Sequence, residues 1–128
     1  MELREFGGLT GPFVPPANGG APTQVMILLH GWGANGNDLV DLARPYSIRF
    51  PGMAFFAPNG PDPCKMNQSG REWFDIDDRV NGPDYAAPVI KTAISALLSA
   101  VRLTESALVL AGFSQGGMMA LHCGLRLQ

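Results

Sequence analysis

The sequence predicts a three-layer α/β/α domain with a mostly parallel sheet, and two patterns carry that prediction. Three short apolar runs, residues 24–29, 53–57 and 107–113, have the composition of strands that are buried on both faces. Between the last two runs, residues 87–101 place their apolar side chains on one face of a helix. Strands that alternate with helices favour parallel pairing through right-handed crossovers.

The composition limits the class of protein. A chain of 128 residues with 46% hydrophobic residues predicts one globular domain, residues 1–128. A net charge of −2 does not favour nucleic acid as a partner, and no apolar run is long enough for a membrane span. Cys64 and Cys123 lie far apart, which favours free thiols over a disulfide or a metal site. Without an apolar leader at the N-terminus, a cytoplasmic location is expected.

The N-terminal residues, 1–23, are rich in glycine and proline. Any strand here is expected to be short and at an edge of the sheet, around residues 3–9 or 13–14. No residue of this segment suggests chemistry.

The first apolar run leads into a glycine-rich loop, His30-Gly31-Trp32-Gly33. Glycines after a buried strand allow the backbone to approach a ligand, although a plain tight turn would explain them equally well. A helix over residues 39–43 is expected to follow, capped by Asn37 or Asp38. Pro45 is expected to end that helix or to open a short turn over residues 46–50.

Residues 58–84 show no periodicity, and such a long irregular segment in a compact domain is typically functional or disordered. Trp73 and Phe74 lie in its middle, so we expect it to pack down over a cleft. The acidic residues of the segment are expected to be solvated or paired with bases, because nothing marks one of them as catalytic; they are Asp75, Asp77, Asp78 and Asp84.

The third apolar run ends in Gly112-Phe113-Ser114-Gln115-Gly116, a G-x-S-x-G motif followed by a helical pattern. A chance match is conceivable in a glycine-rich chain, but the strand before it and the helix after it favour a true nucleophile turn. Such a turn holds the serine in a backbone conformation that costs about 1–3 kcal/mol. Ser114 is therefore the predicted nucleophile, with the positive end of the following helix beside it.

Acyl transfer also needs an oxyanion hole and a general base. The backbone N–H of Gln115 and that of Trp32 are the predicted oxyanion donors. Neither histidine is a good candidate for the base. His122 lies eight residues beyond Ser114, about 12 Å along the helix axis, and a surface or packing role is expected for it. His30 is expected to be a buried, hydrogen-bonded imidazole that shapes the loop.

Four blocks resemble the phospholipase/carboxylesterase family of α/β-hydrolases, which includes acyl-protein thioesterases: LLHGWGANGNDL (28–39), FFAPNGP (55–61), GREWFDI (70–76) and GFSQGGMMA (112–120). The resemblance implies an α/β-hydrolase fold with Ser114 as nucleophile and the N–H groups of Trp32 and Gln115 as oxyanion hole. It implies Trp73 and its neighbour Phe74 as walls of the acyl pocket. It also implies a small acyl ester as substrate, with no metal and no organic cofactor.

In that family the triad aspartate and histidine follow the nucleophile helix, and the sequence has no counterpart of them before Gln128. We therefore expect an incomplete α/β-hydrolase domain, truncated after the nucleophile helix. One hypothesis is that the parent protein is a serine esterase for short- to medium-chain acyl esters, or a thioesterase. The other is that this chain is a non-catalytic or assembly-dependent fragment. The chain alone is expected to turn over esters very poorly.

The resemblance also predicts the order of the strands, with residues 24–29 between 53–57 and 107–113. The strand at 107–113 would then be an edge without a protecting charge or proline. Self-association through this strand is therefore expected.

Overall fold

The structure is a computed structural model that describes residues 1–127. Its centre is a five-stranded sheet with the order β1-β2-β4-β3-β7, and a separate two-stranded ribbon pairs β5 with β6. In chain order the elements are β1 (Glu2–Phe6), β2 (Leu9–Val14), β3 (Gln24–Leu29), α1 (Gly36–Val40), α2 (Ala43–Arg49), β4 (Met53–Phe56), β5 (Asp62–Pro63), β6 (Arg71–Glu72), α3 (Gly82–Val101), β7 (Leu108–Gly112) and α4 (Gln115–Gly124).

The three predicted strands are confirmed, and so is their order. β3 lies between β4 and β7 and runs parallel to both, with Val25 aligned to Ala54 on one side and to Leu108 on the other. Within residues 1–127, β7 pairs with β3 alone, which makes it the predicted edge of the sheet.

The N-terminal segment forms more structure than the sequence predicted. β1 and β2 make an antiparallel hairpin, and β2 then pairs antiparallel with β4, so the sheet as a whole is mixed. Gly7 and Gly8 form the two-residue turn at φ +59° and φ +92°. Two successive residues at positive φ match the right-handed twist of a hairpin, and glycine adopts that conformation without strain.

Helices cover both faces of the sheet, as a three-layer fold requires. α3 and α4 lie on one face over the larger core, and α1 and α2 lie on the other face over a smaller one. The larger core includes Phe6, Phe13, Val25, Ile27, Leu29, Phe56, Trp73, Ile90, Ile94, Leu97, Met119 and Cys123. The smaller core comprises Met26, Leu28, Val40, Ala43, Met53, Phe55 and Ala57.

The predicted cap at Asn37 or Asp38 is wrong. Asn35 is the N-cap of α1, where its side chain accepts from the backbone N–H of Asp38 at 3.2 Å. The Asp38 carboxylate accepts from the N–H of Asn35 in return, at 3.0 Å. This reciprocal pair is a capping box, in which a carboxylate at the third helical position takes part instead of forming the cap itself.

The remaining helix boundaries also differ from the predictions. The helix expected over residues 39–43 is two short helices, α1 and α2. Pro45 lies in the first turn of α2, where a backbone N–H would have no acceptor within the helix, so proline loses no hydrogen bond there. α3 begins at Gly82, five residues before the predicted start, because Pro83 suits a first turn. Pro88 lies inside this helix.

The segment between β4 and α3 packs down as predicted. Trp73 is fully buried, Phe74 is 2% exposed, and both belong to the larger core. Cys64 and Cys123 are free thiols, and both are buried. No helix within residues 1–127 combines the length and the apolar character that a membrane span needs.

Candidate active site

Ser114 occupies the turn between β7 and α4 in a conformation that L-residues seldom adopt. Its backbone has φ 54° and ψ −117°, and its side chain is exposed. Serine is a common helix N-cap, yet the Ser114 hydroxyl makes no capping hydrogen bond to α4. The strained turn thus presents the hydroxyl to solvent without committing it to the helix.

Two glycines of the motif are required by close backbone packing. A Cβ atom at Gly116 would overlap the carbonyl oxygens of Leu29 and His30, at the end of β3. A Cβ atom at Gly112 would overlap the carbonyl of Gly116 itself. The first turn of α4 therefore lies directly against the ends of both parallel strands.

Backbone hydrogen bonds fix the turn. The N–H of Phe113 donates to the carbonyl of Leu29 at 3.0 Å, which extends the pairing between β3 and β7 by one residue. The N–H of Gly116 donates to Phe113 and that of Met118 donates to Ser114, both at 3.0 Å. The position of Ser114 is consequently set by the sheet on one side and by α4 on the other.

The glycine-rich loop after β3 lies beside Ser114. A Cβ atom at Gly31 would be 3.5 Å from the Cβ of Ser114. The backbone N–H groups of Trp32 and Gln115 have no acceptor within residues 1–127, and that of Gln115 belongs to the first turn of α4. Their role as oxyanion donors stays a prediction, which is supported by this juxtaposition of loop, serine and helix N-terminus.

The loop is held by contacts that the sequence analysis missed. The N–H of Gly33 donates to the carbonyl of Arg71 at 3.0 Å, and the N–H of Arg71 donates to Ala34 at 2.7 Å. The indole N–H of Trp32 donates to the buried carboxylate of Glu72 at 3.2 Å. β6 therefore acts as a brace for the loop, and the only sequence signal for it is the Gly-Arg-Glu-Trp-Phe block.

His30 is the buried, hydrogen-bonded imidazole that the sequence predicted. It is 1% exposed, and its Nε2 accepts from the N–H of Gly60 at 2.8 Å. Nδ1 therefore carries the proton and donates to the carbonyl of Gly31 at 2.7 Å. Burial lowers the pKa of His30 below its ordinary value of 6.5. A neutral ring with both nitrogens engaged supports the loop and has no lone pair to offer Ser114.

His122 has a packing partner on another helix. Its Nε2 lies 3.1 Å from the Oδ1 of Asp84, which links α4 to the start of α3. Asp75 is paired with Lys65, also as expected for an acid of this segment. Neither histidine of the described chain is therefore placed to take a proton from Ser114.

The side chain of Gln115 connects the nucleophile turn to the segment above it. Its Oε1 accepts from the N–H of Trp73 at 2.8 Å, and its Nε2 donates to the carbonyl of Phe74 at 2.9 Å. The indole N–H of Trp73 donates to the carbonyl of His30 at 2.9 Å. This buried amide was predicted only for its backbone N–H, because an x position of a motif carries no signal for its side chain.

A pocket of about 270 Å³ opens beside Ser114, and its lining residues are Phe74, Ile76, Arg79, Ser114, Gln115 and Met118. Phe74 lies in its wall, whereas Trp73 is fully buried and is not among the lining residues. Contact of these two aromatic residues with substrate stays a prediction. Residues 1–127 contain no group of histidine, cysteine or acidic side chains that could hold a metal ion.

Comparison with known proteins decides the family. The family model described as phospholipase/carboxylesterase matches residues 13–128, almost the whole chain. The chain belongs to the phospholipase/carboxylesterase family. The predicted resemblance and the predicted α/β fold class are thereby confirmed.

Among curated relatives of this phospholipase/carboxylesterase chain is an acyl-protein thioesterase 1 from Mycosarcoma maydis, 30% identical over 133 residues. That alignment covers 88% of this chain and 55% of the relative. Another is an acyl-protein thioesterase 1 from Cryptococcus neoformans, 28% identical, with 79% of this chain and 48% of the relative covered.

Solved structures agree with this assignment. The crystal structure of esterase PE8 superposes with a TM-score of 0.88 at 40% identity, covering 93% of this chain and 58% of that one. A carboxylesterase from Mesorhizobium loti superposes with a TM-score of 0.78 at 19% identity, covering 98% and 58%, and shows the fold alone. The chain thus spans between about half and three fifths of the length of the relatives described here.

Proposed function

We propose that this chain carries the nucleophile half of a serine carboxylic-ester hydrolase, which acts through an acyl-enzyme at Ser114. The single observation that supports this most strongly is the conformation of Ser114. Its hydroxyl is exposed and uncapped, on a strained backbone, between the glycine-rich loop and the N-terminus of α4. Strained backbone conformations of this kind cluster at functional sites, and a serine with only a structural role would not require one.

In the proposed reaction, the Ser114 oxygen attacks the ester carbonyl carbon and its proton passes to a general base. The negative charge on the carbonyl oxygen is stabilised by the N–H groups of Trp32 and Gln115. Collapse of the intermediate breaks the ester bond, and the alcohol leaves with the proton from the base. Water then attacks the acyl-enzyme in the same way and releases the acid.

The general base is proposed to come from outside the described residues. Both ring nitrogens of His30 are engaged, and His122 lies two turns along α4 beside Asp84. A serine that lacks its base keeps the contribution of the oxyanion hole and of binding, about 10³–10⁴-fold over water. The 128-residue chain alone is therefore expected to be a very poor enzyme.

The size of the pocket supports small substrates. A volume of about 270 Å³ is just below the usual range of ligand sites, which favours short- to medium-chain acyl groups. Thioesters are the alternative within the class, since thioesterases are among the relatives. The same site would serve both, because the carbonyl group is attacked in either case.

The test is hydrolysis of p-nitrophenyl acetate, butyrate and octanoate by the 128-residue chain, alone and joined to any in-frame continuation of its gene. Ser114→Ala should reduce the hydrolysis by the extended form to the residual level of the chain alone, and Ser106→Ala, in the turn before β7, is the matched control. Hydrolysis by the extended form that stays at its wild-type rate in Ser114→Ala would contradict the proposal. A turnover of about 1–10³ per second by the chain alone would refute the proposed source of the base.

A second candidate function, an assembly-dependent fragment, is favoured by the edge strand β7. Val109 is 37% exposed, and the strand carries no charge that would discourage pairing. We expect the chain to self-associate through this edge. Val109→Lys should shift sedimentation toward the monomer, whereas Ile48→Lys on α2 should not. A wild-type chain that sediments as a monomer would contradict this candidate.

A further inference from the structure

One charged side chain lines the pocket beside Ser114, and the proposed reaction does not use it. Arg79 lies in the pocket wall together with the apolar side chains of Phe74, Ile76 and Met118. The other polar residues of the lining are Ser114 itself and Gln115, whose amide is occupied by the backbone of residues 73 and 74. The pocket therefore has apolar walls and a single positive charge.

The guanidinium of Arg79 is available for a ligand. None of the ion pairs or side-chain hydrogen bonds within residues 1–127 involves it. Two of the nearby acids have other partners, since Asp75 is paired with Lys65 and Asp78 accepts from the N–H of Asn81 at 3.2 Å, whereas Asp77 forms no ion pair within residues 1–127. Arg71 provides a contrast, because its guanidinium donates to the carbonyls of Gly60 and Pro61, at 2.9 Å each.

We propose that Arg79 selects esters that carry a carboxylate near the scissile carbonyl, such as half-esters of short dicarboxylic acids. The inference rests on the proposed function, since it takes Ser114 as the reacting group. A planar guanidinium matches the two oxygens of a carboxylate, and the apolar walls suit the methylene groups between the two ends. The pocket has a volume of about 270 Å³ within residues 1–127, which suits a spacer of a few carbon atoms.

The expected preference is moderate. Arg79 is exposed, so water competes with its ligand, and the carboxylates of Asp77 and Asp78 reduce the positive potential around it. We expect a half-ester to bind about three- to tenfold more tightly than the neutral diester of the same acid. Salt screens such a contact, so the ratio should fall as the ionic strength rises.

Ligand-detected NMR provides the test, with the dissociation constants of monomethyl glutarate and dimethyl glutarate measured on the 128-residue chain. Arg79→Gln should reduce the ratio of the two constants to about one. Arg49→Gln removes the same charge from α2, on the other face of the sheet, and should keep the wild-type ratio. Ser114→Ala should also keep it, because binding does not require the nucleophile.

Three results would overturn the inference: equal constants in the wild type, a preference that survives in Arg79→Gln, or no binding of either ester. Labelling of Ser114 by a fluorophosphonate, measured on the chain joined to any in-frame continuation of its gene, reports on the proposed function separately. A chain that labels at Ser114 but shows no carboxylate preference keeps the proposed function and loses this inference. A chain that shows the preference without labelling keeps a carboxylate-binding site at Arg79 and loses the proposed function.

Discussion

β3 and β7 are adjacent, parallel and similar in composition, yet they differ in strand pairing and in burial. β3 has a strand on each side, and five of its six residues are buried. β7 has a strand on one side only within residues 1–127, and none of its residues is fully buried. Apolar composition alone therefore does not distinguish a central strand from an edge strand, because both have apolar side chains on two faces.

The loops that follow the two strands differ in the same way. β3 leads to His30, which is buried and hydrogen-bonded through both ring nitrogens. β7 leads to Ser114, which is exposed and makes no capping hydrogen bond. We infer that the two strands have different roles. The central strand β3 supports the rigid loop that begins at His30, and the edge strand β7 leads to the proposed reacting group, Ser114.

Gly116→Ala should have the largest effect, because it would break the contact between the two loops. Its Cβ would overlap the carbonyl oxygens of Leu29 and His30, which are backbone atoms and cannot move away cheaply. We expect a loss of about 3 kcal/mol in the free energy of unfolding, measured by urea denaturation.

Gly124→Ala is the control for that variant. Its nearest neighbour would be a Leu110 methyl group at 3.8 Å, so its stability should change by less than about 1 kcal/mol. Equal effects at the two glycines would refute the packing argument.

Truncation of a leucine in each strand sharpens the comparison of β3 with β7. Leu29 is fully buried in the larger core, whereas Leu110 is partly buried at the margin of the same core. Leu29→Ala should cost about 3 kcal/mol of unfolding free energy, and Leu110→Ala about 1 kcal/mol, measured by the same denaturation. If both substitutions cost the same, β7 is as well covered in solution as β3.

Gln115→Ala should loosen the segment that covers the turn. The substitution leaves the N–H of Trp73 and the carbonyl of Phe74 buried without partners, at a cost of about 2 kcal/mol. Hydrogen exchange at the Trp73 amide should accelerate, while that at Val25 in β3 should change only as far as global stability changes. Unaltered protection of the Trp73 amide would show that Gln115 does not hold this segment.

The smallest expected effect is a pH dependence due to His30. Burial lowers the pKa of its imidazole in the folded protein, so the unfolded chain binds a proton at a higher pH than the folded chain does. Its contribution to stability is therefore complete above about pH 6.5 and is lost as the pH falls through the folded pKa.

The slope from one such group cannot exceed about 1.4 kcal/mol per pH unit. His30→Gln keeps a donor and an acceptor but does not titrate. Denaturation between pH 7 and pH 5 should show a shallower slope for this variant. An unchanged slope would mean that His30 does not contribute.

The sequence predicted the parallel core and the strand-turn-helix around Ser114 because both depend on local signals, whereas the strand order came from the family resemblance. Apolar runs mark the strands, and the glycines around Ser114 mark the turn. It did not predict the Asn35 cap, since the choice among three neighbouring polar residues depends on how the loop enters α1. The hydrogen bonds from Trp32 to Glu72 and from Trp73 to the Gln115 side chain were also not predicted, because each joins residues about 40 positions apart.

Fluorophosphonate labelling of the chain joined to any in-frame continuation of its gene, with the modified residue mapped by mass spectrometry, tests the central claim most directly. The chain contains five other serines, at positions 47, 69, 95, 99 and 106, which serve as internal controls. We predict that Ser114 is labelled faster than all five and that Ser114→Ala leaves no fast-reacting site. Labelling of another serine at the same rate, or an unchanged rate in Ser114→Ala, would contradict the assignment of Ser114 as the nucleophile.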